Sequence, residues 1–390
     1  MKDLELYIHI PFCKSKCYYC DFCSTSSTKQ VDEYLDALIC ENNNIYYRLN
    51  DYVVKSIYIG GGTPTLIDNL KFNSAISNII SKYNLDIKEF TVEANPDTIT
   101  EEKLKSLVEL GVNRISIGVQ TLNDNILKIL NRVHDSSDAI NAVKLAKKYI
   151  NNVSIDMMIG LPNQTYEDIE YLIKTFSKLG VEHISCYTLQ LEDKTVLKKK
   201  VDNKEVLLPS DDETAKMYDF SYRILKEEGY SRYEISNFAK NNKYSKHNYG
   251  YWTRANYLGI GVSSHSLIDN YRFSNTNNLV KYINGSEYQN IEKLNITDQI
   301  LEEIMLNFRT AKGLNIKQFN EKYQINFKNK YQKQLNKLKD YLDIKDDYVS
   351  IKEDYFEISN SIIVEFIEDW FNYIAYCINI MLLYYRKKQN

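Results

Sequence analysis

The sequence predicts an α/β protein built on a partial (β/α)6 barrel, followed by a small winged-helix-like α+β domain. Six short apolar or β-branched runs alternate with helical patterns over about 190 residues, which is fewer than the eight units of a closed barrel. Cys, Gly, Pro and single polar residues occur near the carboxyl end of each run. Because these ends share one rim of a barrel, we expect a ligand site there.

The predicted strands end at turn residues, as buried parallel strands commonly do. In chain order they cover residues 4–10, 53–59, 90–94, 114–119, 153–159 and 183–189. Four helical patterns lie between them, at residues 69–83, 101–110, 136–148 and 166–179. Capping residues precede the second and third patterns, while Gly111 and Gly180 follow the second and fourth, where left-handed helix ends favour glycine.

The composition is that of an ordinary globular chain. The 390 residues are 44% hydrophobic and 26% charged, which excludes disordered and collagen-like classes. A net charge of −3 makes nucleic acid an unexpected partner. The first residues lack the apolar stretch of a signal peptide, so we expect a reducing cytoplasmic location. Clustered cysteines there are better explained by a metal site than by disulfides.

Cys13, Cys17 and Cys20 form a C-x3-C-x2-C loop directly after the first predicted strand. Their thiolates are soft ligands, suited to an iron–sulfur cluster or to zinc. Zinc is the alternative, but no second Cys/His pair follows to complete a tetrahedral site. Three cysteines on a four-iron cluster would leave one iron open to a small molecule. Cys23 lies three residues further on and is not assigned to the metal.

A glycine loop, Gly60-Gly61-Gly62-Thr63, follows the second predicted strand. Glycines let the backbone approach a ligand closely and leave N–H groups available to polar atoms. The loop is neither a Walker A sequence nor a G-x-G-x-x-G sequence. A simple tight turn is the alternative reading.

The cysteine loop and the glycine loop, on this barrel pattern, resemble the radical S-adenosylmethionine (SAM) superfamily. The resemblance implies that Cys13, Cys17 and Cys20 hold a [4Fe–4S] cluster whose open iron binds S-adenosylmethionine. It implies cofactor contacts from three residues of the glycine loop, namely Gly61, Gly62 and Thr63. In that superfamily, electron donation to the sulfonium can release a 5′-deoxyadenosyl radical.

The motifs YIHIPFC, EANPDT, GVNRISIGVQ, LNRVH, IDMMIGLP and YEISNFA resemble one subgroup, which contains oxygen-independent coproporphyrinogen oxidases and haem chaperones. The resemblance implies further cofactor contacts. Tyr7 would lie beside the cluster and Glu93 at the ribose hydroxyls. Gln120, Arg132 and Asp156 would surround the adenosine and the carboxylate.

The segment KHNYGYW at residues 246–252 resembles the HNxxYW motif of the haem chaperones. The resemblance implies that His247 binds haem, while Tyr251 and Trp252 could stack on the macrocycle. A histidine hydrogen-bonded beside aromatic core residues is the alternative. His265 is a second histidine similar to the family pattern. Against the oxidases, the cysteine loop begins early and position 22 is Phe rather than Cys.

We therefore expect a haem chaperone that binds a [4Fe–4S] cluster, S-adenosylmethionine and haem, and transfers haem to acceptor haemoproteins such as membrane-bound respiratory enzymes. The alternative is an oxygen-independent coproporphyrinogen III oxidase that abstracts hydrogen through the 5′-deoxyadenosyl radical, so whether the chain is an enzyme stays open. A structural zinc protein is a third hypothesis. Radical chemistry would require an electron donor such as a flavodoxin or a ferredoxin.

The expected domains are a core at 1–240, a connecting region with the haem motif at 241–295, and the winged-helix-like domain at 296–390. Two short strands are predicted in the last domain, at residues 348–350 and 355–358. Residues 371–385 carry no charge and precede a basic triplet. They predict either a docked terminal helix or peripheral contact with a membrane.

Overall fold

A computed structural model describes residues 1–367, and the apolar segment 371–385 lies outside them. Six parallel strands form the wall of the barrel, in the order that the sequence predicts. They are β1 (Lys2–Ile10), β2 (Tyr52–Gly61), β3 (Asn84–Ala94), β4 (Arg114–Gln120), β5 (Asn152–Ile159) and β6 (His183–Thr188).

Alternation along β1 shows why these runs form strands. Leu4, Leu6, Ile8 and Ile10 are fully buried in the main hydrophobic core, and each contributes about 1.5–3 kcal/mol by burial. The residues between them point to the opposite face of the sheet, into the barrel. Polar side chains on that face include Glu93, Ser116 and Asp156, which line the pocket described below.

Helices cover the outside of the barrel. The helices in this half are α1 (Val31–Ile45), α2 (Asn69–Ile80), α3 (Glu101–Glu109), α4 (Asp124–Ile129), α5 (Ser136–Tyr149) and α6 (Tyr166–Lys178). The four predicted helices are confirmed to within three residues, and α1 and α4 were not predicted. Thr100 caps α3, Asp135 forms a capping box on α5, and Gly111 and Gly180 adopt positive φ after α3 and α6.

The sheet continues past both sides of the six strands and does not close. The elements that follow are α7 (Val196–Asp202), α8 (Asp211–Glu227), β7 (Ser231–Arg232), β8 (Asn237–Ala239), α9 (Lys246–Trp252), β9 (Tyr257–Ile260), β10 (His265–Ile268), β11 (Tyr271–Ser274), α10 (Leu279–Ile283) and β12 (Gln289–Lys293). The strand order is β12-β11-β10-β9-β1-β2-β3-β4-β5-β6-β8-β7. The predicted partial barrel is confirmed. Residues 241–295 supply four strands of the barrel sheet, although the sequence predicts a connecting region there.

A small C-terminal domain has its own three-stranded sheet, in the order β13-β15-β14. Its elements are α11 (Ile296–Asn307), β13 (Leu314–Asn315), α12 (Ile316–Tyr323), α13 (Phe327–Lys330), α14 (Gln332–Lys337), β14 (Leu342–Lys345), β15 (Tyr348–Ile351) and α15 (Ser359–Val364). The strand predicted at 348–350 is present. The strand predicted at 355–358 is wrong, because Glu353–Ile358 is a 3-10 helix and β15 pairs instead with β13 and β14.

Membrane contact was predicted only for the segment outside the described residues. Across residues 1–367, the structure contains no helix with both the length and the apolar character needed to cross a bilayer.

Candidate functional site

One large pocket opens at the carboxyl ends of the barrel strands. It encloses about 1020 Å³ of empty space, counting the part open to solvent, at the upper end of the usual range for ligand pockets. Ten residues singled out from the sequence line it: Cys13, Cys17, Cys20, Gly61, Gly62, Thr63, Glu93, Gln120, Arg132 and Asp156. Four others do not: Tyr7, His247, Tyr251 and Trp252.

The cysteine loop is folded back onto the end of β1. Cys13 N–H donates to the carbonyl of Thr25 over 2.9 Å, and Cys20 N–H donates to the carbonyl of Cys17 over 3.1 Å. All three cysteines of the motif are half-buried. Burial raises the pKa of the Cys20 thiol to about 12, so a metal centre must supply the positive charge that keeps it ionised.

The arrangement of donors bears on which metal centre fits. Within residues 1–367, no group of three His, Cys, Asp or Glu side chains is placed to hold a single metal ion. Structural zinc takes four ligands. In a four-iron cluster each cysteine binds a different iron, so three thiols that line one pocket are a donor set that suits such a cluster.

The glycine loop packs directly on the cysteine loop. Gly62 N–H donates to the carbonyl of Ile10 over 2.7 Å, and Thr63 N–H donates to the carbonyl of Phe12 over 2.8 Å. A Cβ atom at Gly62 would lie 2.7 Å from the carbonyl oxygen of Phe12, which is too close. Gly61 adopts φ +111°, in the region that favours glycine. These glycines are required to bring the two loops together.

Two half-buried carboxyl groups line the pocket. Glu93 accepts hydrogen bonds from the Tyr58 hydroxyl, over 2.7 Å, and from the N–H of Gly61, over 3.0 Å. Asp156 accepts one from Ser116 Oγ over 3.3 Å. Burial raises the pKa of Glu93 to about 7 and raises the pKa of Asp156. Both groups can accept hydrogen bonds from the hydroxyls of a ligand.

Arg132 joins the pocket wall to the cysteine loop. Its Nη1 donates to Cys17 Sγ over 3.3 Å, and its Nη2 donates to Asn95 Oδ1 over 2.8 Å and to the carbonyl of Gly118. Its Nε is buried, and no hydrogen-bond partner for it occurs among the described residues. A guanidinium with a donor to spare fits a ligand carboxylate. This orphaned donor is the observation that best fits the predicted cofactor.

Gln120 lies where β4 departs from regular pairing with β5. Its φ of +70° is unusual for a residue other than glycine, and such backbone conformations are common at ligand sites. Tyr19, Met158 and Tyr187 also line the pocket, although none of them was singled out as a site residue. Tyr19 and Met158 lie in segments that the sequence places on the rim, whereas Tyr187 lies within an apolar run that resembles core.

Tyr7 lies behind the pocket wall. Its hydroxyl makes a hydrogen bond of 2.9 Å with His9 Nδ1, and His9 Nε2 makes one of 3.0 Å with the carbonyl of Cys23. Burial lowers the pKa of His9 to about 4, so the ring is neutral. The Cys23 thiol donates to the carbonyl of Asn277 over 3.3 Å and lies outside the pocket.

The histidine of the HNxxYW segment is enclosed. His247 has no exposed surface, its Nδ1 makes a hydrogen bond of 2.5 Å with Ser56 Oγ, and its Nε2 makes one of 2.8 Å with the Tyr251 hydroxyl. Tyr251 and Trp252 are 7% and 5% exposed, within the core of the C-terminal domain. In this conformation the three side chains form no open haem surface. His265 lies half-buried on β10, outside the pocket.

Comparison with known proteins gives the same family as the motifs. Residues 7–176 match the radical SAM superfamily, and residues 294–360 match the HemN C-terminal domain. The heme chaperone HemW of Bacillus subtilis is 40% identical over 326 residues, which are 81% of this chain and 86% of that protein. The heme chaperone HemW of Lactococcus lactis is 35% identical, over 86% of this chain and 89% of that protein.

A solved structure supports the fold. The coproporphyrinogen III oxidase HemN of Escherichia coli, titled a radical SAM enzyme, superposes with a TM-score of 0.81. The match covers 94% of this chain and 90% of that chain, at 22% sequence identity, so it bears on the fold alone. The relatives above, at 35% and 40% identity over more than four fifths of the chain, show that it belongs to the HemW family of the radical SAM superfamily.

Proposed function

We propose that this protein is a haem chaperone of the radical SAM type. It binds a [4Fe–4S] cluster and S-adenosylmethionine in the pocket, and it passes haem to acceptor haemoproteins. The observation that carries the proposal is the pocket itself, which brings three thiols, a glycine loop and an arginine with a spare donor to one rim. Relatives that are 31–40% identical and carry the name heme chaperone HemW favour the chaperone over the oxidase.

In this proposal Cys13, Cys17 and Cys20 hold the cluster. When bound, the cluster supplies one-electron chemistry and an iron left open for a small molecule. Arg132 neutralises the Cys17 thiolate and has Nε left for the carboxylate of S-adenosylmethionine. Gly61, Gly62 and Thr63 supply close backbone contact with that ligand.

The remaining pocket residues orient the rest of the ligand. Glu93 accepts hydrogen bonds from the ribose hydroxyls, and Gln120 and Asp156 contact the adenosine. Tyr7 acts from behind the wall through His9. If the chain performs radical chemistry, a flavodoxin or a ferredoxin supplies the electron.

Haem binding is assigned to His247, Tyr251 and Trp252. The Nε2 atom of His247 makes a hydrogen bond of 2.8 Å with the Tyr251 hydroxyl, and a haem iron would take the place of that hydroxyl. Haem binding in this way requires α9 to move, because His247 is fully enclosed. The acceptors include membrane-bound respiratory haemoproteins. The protein itself would act in the cytoplasm or in peripheral contact with the membrane.

Anaerobic reconstitution followed by haem titration tests the proposal. We expect about four irons per chain, loss of the cluster in Cys13→Ala, and a change in the EPR signal of the reduced cluster on addition of S-adenosylmethionine. His247→Ala should weaken haem binding and slow haem transfer to an apo-haemoprotein, whereas His265→Ala serves as the matched control. Formation of protoporphyrinogen IX without haem binding would overturn the chaperone assignment in favour of the oxidase.

A further inference from the structure

Tyr58, on β2, lies between the cofactor pocket and the helix that carries His247. It is 7% exposed, and its hydroxyl donates to Glu93 Oε1 over 2.7 Å. Its ring stacks on the imidazole of His247 with the centroids 5.2 Å apart and the planes at 29°. Tyr7 stacks with the same ring at 6.2 Å. Tyr58 is therefore in contact with Glu93 and Tyr7 of the proposed S-adenosylmethionine site and with His247 of the proposed haem site.

At the pocket end, Glu93 is held by both of its oxygens. Oε1 accepts from Tyr58 and Oε2 accepts from the N–H of Gly61 over 3.0 Å. A carboxylate has about four acceptor positions, so the remaining lone pairs stay available to a ligand. The carboxyl group of Glu93 also packs directly on Gly60, where an added Cβ atom would lie 2.7 Å from its carboxyl carbon. Loss of the tyrosine hydroxyl would leave one oxygen without this anchor.

At the other end, several groups fix the imidazole of His247. Ser56 and Tyr251 bond its two ring nitrogens, and Glu89 accepts the backbone N–H groups of Lys246 and His247 over 2.7 Å and 3.2 Å. Movement of the imidazole must break its stack on Tyr58. The order of the Tyr58 ring, in turn, depends on its hydroxyl bond to Glu93.

We propose that Tyr58 is a positioning residue, which orients Glu93 for S-adenosylmethionine and couples that pocket to the helix carrying His247. The inference rests on the proposed function and adds to it a connection between the two sites. Binding of S-adenosylmethionine favours the ionised carboxylate of Glu93. The ionised carboxylate holds the Tyr58 hydroxyl more strongly, and the fixed ring keeps His247 enclosed. S-adenosylmethionine therefore weakens haem binding, and haem weakens S-adenosylmethionine binding by the same factor.

The charged and titratable groups around Glu93 determine how its pKa responds to loss of the Tyr58 hydroxyl. The groups that face it are on five strands: Tyr7 on β1, Tyr58 on β2, Arg114 on β4, Asp156 on β5 and Tyr187 on β6. Burial is the largest influence on Glu93 and raises its pKa to about 7, whereas the hydrogen bond from Tyr58 lowers the pKa. Removal of that hydroxyl must therefore raise this pKa further.

The first test needs no ligand. The carboxyl band of Glu93 is followed by infrared difference titration, assigned with Glu93→Gln. In Tyr58→Phe we expect its midpoint to rise by about one pH unit, the size of one hydrogen bond to a charged group. Tyr230→Phe is the matched control, because it removes a buried hydroxyl bond to the carbonyl of Val181, away from the pocket. An unchanged midpoint in Tyr58→Phe overturns the positioning role, whatever the protein's function.

The second test uses the reconstituted protein and its two ligands. In the wild type, saturating S-adenosylmethionine should raise the dissociation constant for haem by about fivefold or more. The ratio of the haem dissociation constants with and without S-adenosylmethionine should fall to one in Tyr58→Phe. In the same variant S-adenosylmethionine binding at pH 7 should weaken by about tenfold. A ratio of one in the wild type, or an unchanged ratio in Tyr58→Phe, refutes the coupling. Failure of the wild type to bind either ligand refutes the proposed function instead.

Discussion

Nη1 of Arg132 donates a hydrogen bond to Sγ of Cys17 over 3.3 Å, so a residue after β4 contacts a thiol of the loop after β1. The same guanidinium bonds Asn95 and the carbonyl of Gly118, which brings three strand ends together. This single side chain fixes the distance between the cysteine loop and the opposite wall of the pocket.

Replacement of Arg132 by Gln should therefore damage the pocket more than the fold. We expect S-adenosylmethionine binding to fall by about tenfold or more, because a hydrogen-bonded charge is lost. Calorimetric titration of anaerobically reconstituted protein measures this. Arg223→Gln removes an arginine exposed on α8 and is the control. Equal affinity in both variants would contradict a role for Arg132 in the site.

His9 joins two segments of the cluster region. Its ring nitrogens bond Tyr7 and the carbonyl of Cys23, and the ring lies against Gly61. His9→Leu leaves both partners without a bond, so we expect a loss of about 1–3 kcal/mol of unfolding free energy and fewer irons per chain. Urea unfolding and iron analysis measure these. His265→Leu is the control for the iron count. A full iron count in His9→Leu would contradict a role for His9 in holding the cysteine loop in place.

Gly62 should tolerate no side chain. Gly62→Ala places a methyl group 2.7 Å from the carbonyl oxygen of Phe12, which forces the glycine and cysteine loops apart. We expect cluster assembly to fall below about a tenth of the wild-type level. Gly111→Ala is the control. Gly111 has positive φ, unlike Gly62, but an added Cβ atom would lie 3.9 Å from its nearest neighbour, and the residue follows α3, away from both loops. Normal iron content in Gly62→Ala would refute the packing argument.

Glu5 should make stability depend on pH. Burial raises its pKa from 4.5 to about 7, although the bond from Ser56 opposes this, and Glu89, Asp3 and His247 are its charged or titratable neighbours. The folded state therefore prefers protonated Glu5, so its full contribution is present below about pH 4.5 and is lost as pH rises to about 7. The loss is about 3 kcal/mol.

Glu5→Gln should remove this part of the pH dependence. Urea unfolding at pH 5 and pH 8 should then give a smaller difference in unfolding free energy than in the wild type. Glu33→Gln, at an exposed position in the first turn of α1, should leave the wild-type difference intact. If both variants retain that difference, another group causes it.

The local sequence pattern was sufficient to predict which residues lie at the rim of the barrel. The cysteine loop, Gly61 and Gly62, and Glu93 each lie at or just after the carboxyl end of a strand that the sequence predicts clearly. Parallel strands bring such positions together. The sequence pattern could not predict the importance of Tyr58, because this residue resembles any other apolar residue of a strand. Its importance depends on register, because Tyr58 is paired with Tyr7 on β1 and with Thr91 on β3.

The haem motif shows a second limit. A histidine among aromatic residues is compatible with an open ligand surface and with a packed helix, and only tertiary contacts distinguish these. The mistaken strand at 355–358 has the same cause. Its alternating residues resemble a strand, but the partner of β15 comes from earlier in the chain, at Leu342–Lys345.

Helix α9 has its first turn in the barrel and its last turn in the C-terminal domain. His247 packs on barrel residues, whereas Tyr251 and Trp252, four and five positions later, belong to the core of the C-terminal domain. A seven-residue helix is too short to bend between them. The two cores should therefore unfold together, in a single calorimetric transition. A chain truncated before residue 296 should lose this cooperative transition for the barrel as well as for the missing domain.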